Sequence, residues 1–230
     1  MIGIFGPCSI ESEEQILEIA HLVKECGGTY LRGGVWKYRS DPMAFQGFGL
    51  DAIEWLKKAK AETGLKIVTE VFNASQADFI KDIVDMYQVG SRNAYNSDLL
   101  KVINTFKKPV LYKRHFAMSL NEFVKHSEYL KDCEVMMCLR GVLSLHPQEQ
   151  RFFPDITDIP RLRELTKNKI CYDVSHSGCD RRYIPALIEA AQTMKPDGLM
   201  IETHKNPNES YSDPLQALDF PTFRKVTKNL

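Results

Sequence analysis

The stretch Ile4-Phe-Gly-Pro-Cys-Ser9 stands near the start of the chain and ends a short apolar run. Residues 2–5 predict a strand, and Cys8 follows directly after its carboxyl end. A cysteine in this place is either a small buried hydrophobe or a metal ligand. The choice depends on which other side chains the chain brings to the same edge.

Short apolar runs alternate with segments of helical period along the whole sequence. The predicted strands are residues 2–5, 29–31, 66–69, 86–89, 110–113, 135–139, 170–172 and 198–201. The predicted helices cover approximately residues 13–26, 51–63, 75–84, 97–106, 119–131, 158–166, 182–194 and 215–228. In the first helix, Ile16, Ile19, Ala20 and Val23 follow the spacing of one buried face. Strands that alternate with helices predict the α/β class with a parallel sheet.

Eight such units in 230 residues favour a closed (β/α)8 TIM barrel. We expect one catalytic domain over residues 1–230, without a regulatory extension. An open doubly wound sheet stays possible, because periodicity does not determine closure. Neither GxGxxG after the first strand nor GxxxxGK[ST] occurs, which removes two common reasons to prefer the open sheet.

The composition excludes several classes of partner. The 30 basic and 30 acidic residues give a formal net charge of zero, which argues against nucleic acid or an anionic membrane surface as partner. No apolar stretch is long enough to span a membrane, and no signal peptide is recognisable at the start. The six cysteines lack CxxC spacing and are typical of reduced thiols, so we expect a cytoplasmic protein.

Charged residues follow most predicted strands, and their two kinds are segregated. In a barrel the chemistry lies at the carboxyl ends of the strands. Cations follow the second, fourth, fifth and sixth strands: Arg32, Lys37, Arg39, Arg92, Lys113 and Arg140. Candidate metal ligands follow the first, seventh and eighth strands: Cys8, His176, Glu202 and Asp213. A merely solvated rim would mix the two kinds, so the segregation favours a functional site.

Each group suits a different ligand. Six cations at one mouth repel one another and call for a polyanion, and arginine fits phosphate and carboxylate oxygens, so we expect phosphorylated, carboxylated small molecules. One thiolate, one imidazole and two carboxylates suit a divalent Mn, Fe, Co or Zn ion better than calcium. Considered singly, each of the four candidate ligands also fits an ordinary core or rim residue, and these alternatives stay open at this point.

Nine motifs carry a resemblance to a known family. They occur in this order: Gly6-Pro-Cys-Ser9, Leu31-Arg-Gly-Gly34, Lys37-Tyr-Arg39, Phe45-Gln-Gly47, Gly90-Ser-Arg-Asn93, Tyr112-Lys-Arg114, Leu139-Arg-Gly141, Asp173-Val-Ser-His-Ser177 and Ser212-Asp213. In order and spacing the chain resembles the class I DAHP synthase and KDO8P (3-deoxy-manno-octulosonate 8-phosphate) synthase family. The resemblance covers essentially the whole chain. It implies a (β/α)8 transferase that condenses phosphoenolpyruvate with an aldose phosphate.

The resemblance also implies residue roles. The family's metal ligands match Cys8, His176, Glu202 and Asp213, and the cysteine distinguishes the metal-dependent branch from the branch that has asparagine there. Its phosphoenolpyruvate contacts match Arg32, Lys37, Arg92, Lys113 and Arg140. Its aldose-phosphate contacts match Lys37, Arg39 and Ser40. Lys37 is the candidate proton donor of the catalytic set, in which Cys8 and His176 serve the metal. The family also implies a homodimer or homotetramer.

The spacing of one motif bears on the acceptor. One residue separates Lys37 from Arg39, as in DAHP synthases, whereas KDO8P synthases carry Lys-Ala-Asn-Arg. The resemblance therefore points to erythrose 4-phosphate and the first step of the shikimate pathway to aromatic amino acids. Two alternatives stay open: a related synthase for another aldose phosphate such as arabinose 5-phosphate, and a non-catalytic sugar-phosphate-binding protein. A complete ligand set argues against the latter.

The chain departs from the family pattern beside the site. Tyr38 and Ser40 stand in a segment that reads Lys-Pro-Arg-Thr in the family, and His115 replaces a glycine. Leu139 replaces a glutamate that could order the catalytic water, and Val174 replaces a proline. From these changes we expect the phosphoenolpyruvate half and the metal ligands to be kept, while the aldehyde half has diverged.

Overall fold

Eight parallel strands close into a barrel, as the sequence predicts. The computed structural model describes residues 1–230. The barrel strands are β1 Ile2–Gly6, β2 Tyr30–Arg32, β3 Lys66–Glu70, β4 Met86–Val89, β5 Val110–Lys113, β6 Val135–Leu139, β9 Lys169–Asp173 and β10 Gly198–Glu202. Two further strands, β7 Val142–Leu143 and β8 Phe152–Phe153, form an antiparallel hairpin between β6 and β9. Around the barrel the order is β1-β2-β3-β4-β5-β6-β9-β10, and β10 pairs with β1.

Nine α-helices accompany the strands. They are α1 Glu13–Glu25, α2 Leu50–Thr63, α3 Ala74–Phe79, α4 Ser97–Thr105, α5 Leu120–Ser127, α6 Asp158–Leu165, α7 Val174–Gly178, α8 Ile184–Thr193 and α9 Phe220–Thr227. Helix α1 begins where the Ser12 hydroxyl accepts a hydrogen bond from the backbone N–H of Gln15, which satisfies one of the free donors of the first turn. No helix combines the length and the apolar character that crossing a bilayer requires.

The structure differs from the sequence prediction in three places. The predicted helix over residues 215–228 begins only at Phe220, because the Asp219 carboxylate caps its first turn. Helix α3 ends at Phe79 rather than at residue 84. The β7–β8 hairpin and the five-residue helix α7 have no predicted counterpart. Elements this short carry too little periodicity to be recognised in a sequence.

Strand periodicity sorts the side chains into two cores. Ile4, Leu111, Met136 and their equivalents fill the barrel interior, whereas Met137 and its equivalents pack between strands and helices. Because alternate side chains of a strand point to opposite faces, each interior position is followed two residues later by another. The following interior positions at the carboxyl ends carry five buried charged residues: Arg32, Lys113, Arg140, Asp173 and Glu202. The fold thus delivers these buried charges to one end of the barrel.

Candidate active site

A cavity of about 880 Å³ opens at the carboxyl ends of the barrel strands. Its floor and walls carry all of the cations that the sequence singles out, together with Ser40, His176 and Asp213. The β7–β8 hairpin and the residues after α7 form one side of it. The predicted convergence of these side chains on one mouth is therefore observed.

Three of the four candidate metal ligands meet in one cluster. Ligand atoms of Cys8, His176 and Asp213 all lie within 4.8 Å of one another. They come from the loop after β1, from α7 and from the loop after β10. Asp213 holds a left-handed backbone conformation, with φ of 50°, which is costly for a residue other than glycine and is characteristic of functional sites.

Glu202 lies at the base of this cluster. Its Oε1 is 3.8 Å from Nε2 of His176, and the same oxygen accepts a hydrogen bond from Arg32 at 2.5 Å. Its Oε2 accepts one from Gln216 at 2.7 Å. A thiol, an imidazole and two carboxylates in this proximity fit a borderline divalent ion such as Mn, Fe, Co or Zn.

His176 is oriented by a carboxylate. Asp173 Oδ1 accepts a hydrogen bond from the backbone N–H of His176 at 3.0 Å and thereby caps α7. Its Oδ2 lies 2.7 Å from Nδ1 of the ring, although this contact is not aligned as a hydrogen bond. Burial lowers the pKa of His176, even though Asp173 opposes this effect. The neutral ring, which is the form that binds metals, is therefore favoured.

Lys37 bridges two members of the cluster. Its Nζ donates to Cys8 Sγ at 2.6 Å and to Asp213 Oδ2 at 3.2 Å, and the Cys8 thiol donates to the same oxygen at 2.9 Å. Burial raises the pKa of the Cys8 thiol, Asp213 raises it further, and Lys37 opposes both. Burial would also raise the pKa of Asp213, but Lys37, His176 and the hydrogen bond from Cys8 together hold that pKa well below its usual range.

The structure corrects the expectation of six uncompensated cations. Arg32 is paired with Glu202, Lys113 Nζ lies 2.6 Å from Asp173 Oδ2, and Lys37 is paired with Asp213. Buried charges need such partners, because the desolvation of an isolated ion costs several kcal/mol. Asp173 and Glu202 end barrel strands, and Asp213 lies in the loop after β10. The sequence shows these carboxylates but not which cation each of them pairs with.

The remaining three cations face the cavity. Arg39 is partly exposed and Arg92 is exposed, and both lie at the rim. Arg140 is buried, and the centre of its guanidinium lies 3.8 Å from the ring centroid of Phe152 in β8. Its Nε and Nη1 have no hydrogen-bond partner. A buried guanidinium with free donors beside a cavity is suited to bind an anion.

Two side chains that contact these residues were not predicted from the sequence. Phe152 stacks on Arg140, and Gln216 donates to Glu202. Phe152 belongs to a two-residue strand, and nothing in the sequence marks it as different from the adjacent Phe153. Gln216 lies shortly after Asp213, the last predicted ligand. That short separation is the only feature of the sequence that could have indicated its role.

The departures from the family pattern divide into two kinds. Leu139 and Val174 pack in the layer between strands and helices, so the concern that Leu139 disturbs a catalytic water is not supported by its position. His115 stacks on Phe116 with ring centroids 4.1 Å apart and does not line the cavity. Tyr38 does line it, half exposed, and packs edge-on against Phe72.

Comparisons with known proteins agree with this geometry. Residues 1–230 match the DAHP synthetase I family. A phospho-2-dehydro-3-deoxyheptonate aldolase of Thermotoga maritima is 34% identical over 230 residues, with 99% of this chain and 68% of that protein covered. A 2-dehydro-3-deoxyphosphooctonate aldolase of Laribacter hongkongensis is 26% identical over 245 residues, with 95% and 85% covered.

Solved structures give the same result. The crystal structure of the Thermotoga maritima DAHP synthase aligns with a TM-score of 0.94 at 34% identity, over 100% of this chain and 68% of that one. A truncated form of a 3-deoxy-D-arabino-heptulosonate 7-phosphate synthase from Thermotoga maritima aligns with a TM-score of 0.90 at 31% identity, over 100% and 84%.

Proposed function

Because the chain belongs to the DAHP synthetase I family, we propose that it condenses phosphoenolpyruvate with erythrose 4-phosphate and releases inorganic phosphate. The observation that carries this proposal is the meeting of Cys8, His176 and Asp213 within 4.8 Å, in a cavity also lined by anion-binding cations. One half of the site suits a carbonyl oxygen, and the other half suits a phosphate and a carboxylate.

Phosphoenolpyruvate occupies the cationic half. Arg92 and Arg140 bind its phosphate, because the Nε and Nη1 donors of Arg140 have no partner within the protein and Arg92 is exposed at the rim. Arg32, Lys37 and Lys113 line the same cavity and contribute the donors that their carboxylate partners leave free. Five cations around one substrate offset its negative charge and hold its reacting carbon in position relative to the acceptor.

The aldose phosphate occupies the side of the cavity next to Tyr38. Arg39 and Ser40 bind its phosphate at the rim, and Lys37 lies deeper, between the two substrates. This placement directs the aldehyde end of the acceptor towards the cluster of Cys8, His176 and Asp213. The half-exposed Tyr38 ring lines this side of the cavity and contacts the acceptor.

The reaction forms one carbon–carbon bond. C3 of phosphoenolpyruvate attacks the aldehyde carbon, and the aldehyde oxygen becomes a hydroxyl by taking a proton from Lys37 Nζ. Water adds at C2, and phosphate leaves by cleavage of the bond between C2 and the phosphate oxygen, which gives the 2-keto acid. One proton of the water restores the Lys37 ammonium, and the other leaves with the phosphate. Arg140 and Arg92 stabilise the departing phosphate, since their charge lies where negative charge accumulates.

The residues fit a divalent metal ion. Cys8, His176, Glu202 and Asp213 would hold a Mn, Fe, Co or Zn ion. When bound, such an ion supplies Lewis acidity at the aldehyde oxygen of the acceptor. Asp173 fixes the His176 ring for this purpose, and Gln216 fixes the Glu202 carboxylate.

We further propose that the chain acts as one catalytic barrel, as a homodimer or homotetramer, in the cytoplasm. The six cysteines are all free thiols, as is usual in a reducing compartment. Sedimentation velocity of the purified protein checks the oligomeric state, since a monomer across all accessible concentrations contradicts it.

A phosphate-release assay with a panel of acceptors tests the proposed activity. Metal-loaded protein receives phosphoenolpyruvate with erythrose 4-phosphate, and in parallel with arabinose 5-phosphate or no acceptor. We expect acceptor-dependent release with erythrose 4-phosphate. Release with arabinose 5-phosphate alone would favour the activity named for the Laribacter relative. No release with any acceptor would refute the enzymatic proposal.

A further inference from the structure

The Glu11 carboxylate joins two loops that are distant in sequence. Its Oε1 accepts hydrogen bonds from the Ser210 hydroxyl at 2.8 Å and from the backbone N–H of Tyr211 at 2.9 Å. Its Oε2 lies 3.3 Å from Nε2 of His204. Glu11 belongs to the segment that follows Cys8, and its three partners all belong to the segment between β10 and Asp213.

The hydrogen-bond pattern defines the tautomer of His204. Nδ1 of His204 accepts a hydrogen bond from the backbone N–H of Asn206 at 3.0 Å, so the proton lies on Nε2 and is donated to Glu11. The Glu11 and His204 side chains are only 9% and 10% exposed. Bonds this well shielded from water hold their geometry better than surface contacts do.

A second contact joins the same loops next to the ligands themselves. The hydroxyls of Ser9 and Ser212 lie 2.6 Å apart, and these residues are the immediate neighbours of Cys8 and Asp213. The Ser9 hydroxyl is also 3.3 Å from Glu11 Oε1. Since Cys8 and Asp213 are 205 positions apart in sequence, their approach depends on such contacts between the two loops.

Helix α1 holds the Cys8 segment in place. The Gln15 side chain accepts from the backbone N–H of Glu11 at 3.1 Å and donates to the carbonyl of Ser9 at 3.3 Å. The Asp213 loop contains the left-handed conformation of Asp213. Arg181 holds its far side, at Pro214 and Leu215, and Glu11 holds the side that faces the Cys8 segment. A strained conformation persists only where its surroundings impose it, and the contacts of Glu11 with His204, Ser210 and Tyr211 fix the chain that leads into Asp213.

From this network we infer that Glu11 is a positioning residue, which holds the Asp213 loop against the Cys8 segment and thereby determines the affinity of the site for a divalent ion. The inference rests on the metal centre of the proposed function. Glu11 touches neither ligand side chain, so it acts through the backbone and hydroxyls beside them. Partners of this kind typically change metal affinity by about 10–100-fold when they are removed.

Cobalt titration of purified, metal-free protein tests the inference. Co²⁺ is followed by its thiolate charge-transfer and d–d absorption, with a competing chelator to measure the affinity. Glu11→Ala is compared with the parent and with the matched control Glu18→Ala. Glu18 also joins α1 to the segment after β10, through Lys205 at 2.6 Å, but it contacts nothing beside Cys8 or Asp213.

We expect Glu11→Ala to weaken Co²⁺ binding by about tenfold or more and to change the shape of the d–d bands, while Glu18→Ala behaves as the parent. Glu11→Gln keeps an acceptor for Ser210 and Tyr211 and should restore part of the affinity. If circular dichroism shows that Glu11→Ala does not fold, Glu11→Gln still tests the inference, because Gln preserves the size of the side chain.

Two negative results are distinguishable. A parent protein that binds no Co²⁺ with a thiolate band refutes the proposed metal centre, and the positioning role of Glu11 falls with it. A parent that binds Co²⁺ normally, with Glu11→Ala and Glu11→Gln both matching its affinity and spectrum, overturns the positioning role alone. A loss of affinity as large in Glu18→Ala as in Glu11→Ala also overturns it.

Discussion

The Nζ atom of Lys37 lies 2.6 Å from the Sγ atom of Cys8 and shares the Asp213 carboxylate with it. One ammonium group therefore contacts two of the proposed metal ligands and also lines the substrate cavity. Lys37 is placed where it can respond to the charge of the metal site and to the charge of the reacting substrates.

Replacement of Lys37 by methionine should remove a proton donor and a substrate contact at once. We expect Lys37→Met to lower kcat by about 10²–10⁴-fold, the usual contribution of general acid catalysis. Lys57→Met is the control, because Lys57 pairs with Glu54 on the exposed face of α2. Steady-state kinetics with both substrates measure the effect, and a kcat equal to that of the control would exclude Lys37 as the acid.

Replacement of Cys8 should affect the metal specifically. Cys8→Ser exchanges a thiolate for a poor ligand, so the metal content after dialysis should fall to a small fraction of that of the parent. Cys133→Ser should keep the parental content, since Cys133 packs against backbone carbonyls near Ile103 and Asn104. Elemental analysis of the three proteins provides the readout. Equal metal content in all of them contradicts the assignment of Cys8 as a ligand.

Phe152 should affect the binding of phosphoenolpyruvate through its contact with Arg140. A cation–π contact at 3.8 Å with a buried guanidinium is worth about 1–2 kcal/mol. We expect Phe152→Ala to raise KM for phosphoenolpyruvate by about 5–30-fold and to leave KM for the acceptor nearly unchanged. Tyr129→Ala removes a longer, exposed cation–π contact with Lys101, remote from the cavity, and should change neither constant. An equal rise in both KM values would point to general disorder of the hairpin instead.

The buried pair of Asp173 and Lys113 should make stability depend on pH. Burial alone would raise the pKa of Asp173, but His176 and Lys113 hold it well below the ordinary value of 3.8. A carboxylate with a depressed pKa in the folded state contributes stability above the ordinary pKa, and that stability is lost as the pH falls through the folded value. Urea unfolding of metal-free Asp173→Asn at pH 7 should show a loss of about 3 kcal/mol.

The same experiment at lower pH supplies the diagnostic result. The difference between parent and Asp173→Asn should shrink as the pH falls below 3.8, because the Asp173 carboxyl of the unfolded parent takes up a proton there, and it should vanish once the pH passes the lower pKa of the folded state. Asp98→Asn is the control, since Asp98 is 90% exposed and its pair with Lys101 is solvated. A difference that stays constant with pH would show that Asp173 does not owe its contribution to its charge.

The barrel itself was predictable from local pattern. Strands β5 and β6 begin and end at the predicted residues, because buried parallel strands appear in sequence as uninterrupted apolar runs. The convergence of charges followed from the rule that strand ends share one edge of the barrel. Both inferences use periodicity and strand order alone, which is why they hold without knowledge of any contact.

The pairing of those charges was not predictable in the same way. Arg32 and Glu202 are 170 positions apart, and their ion pair depends on how two side chains pack at the top of the barrel. The stacking of Phe152 on Arg140 likewise depends on the path of a hairpin that has only two-residue strands. Such contacts result from tertiary packing, for which the local sequence carries no signal.

Identification of the product tests the central claim most directly. Metal-loaded protein is incubated with phosphoenolpyruvate and erythrose 4-phosphate, and the mixture is analysed by mass spectrometry and NMR. We predict a seven-carbon 3-deoxy-2-keto acid phosphate formed in equal amount to the inorganic phosphate released, and no such product from Cys8→Ser. Phosphate release with pyruvate as the only organic product, or no consumption of phosphoenolpyruvate at all, would contradict the proposed synthase.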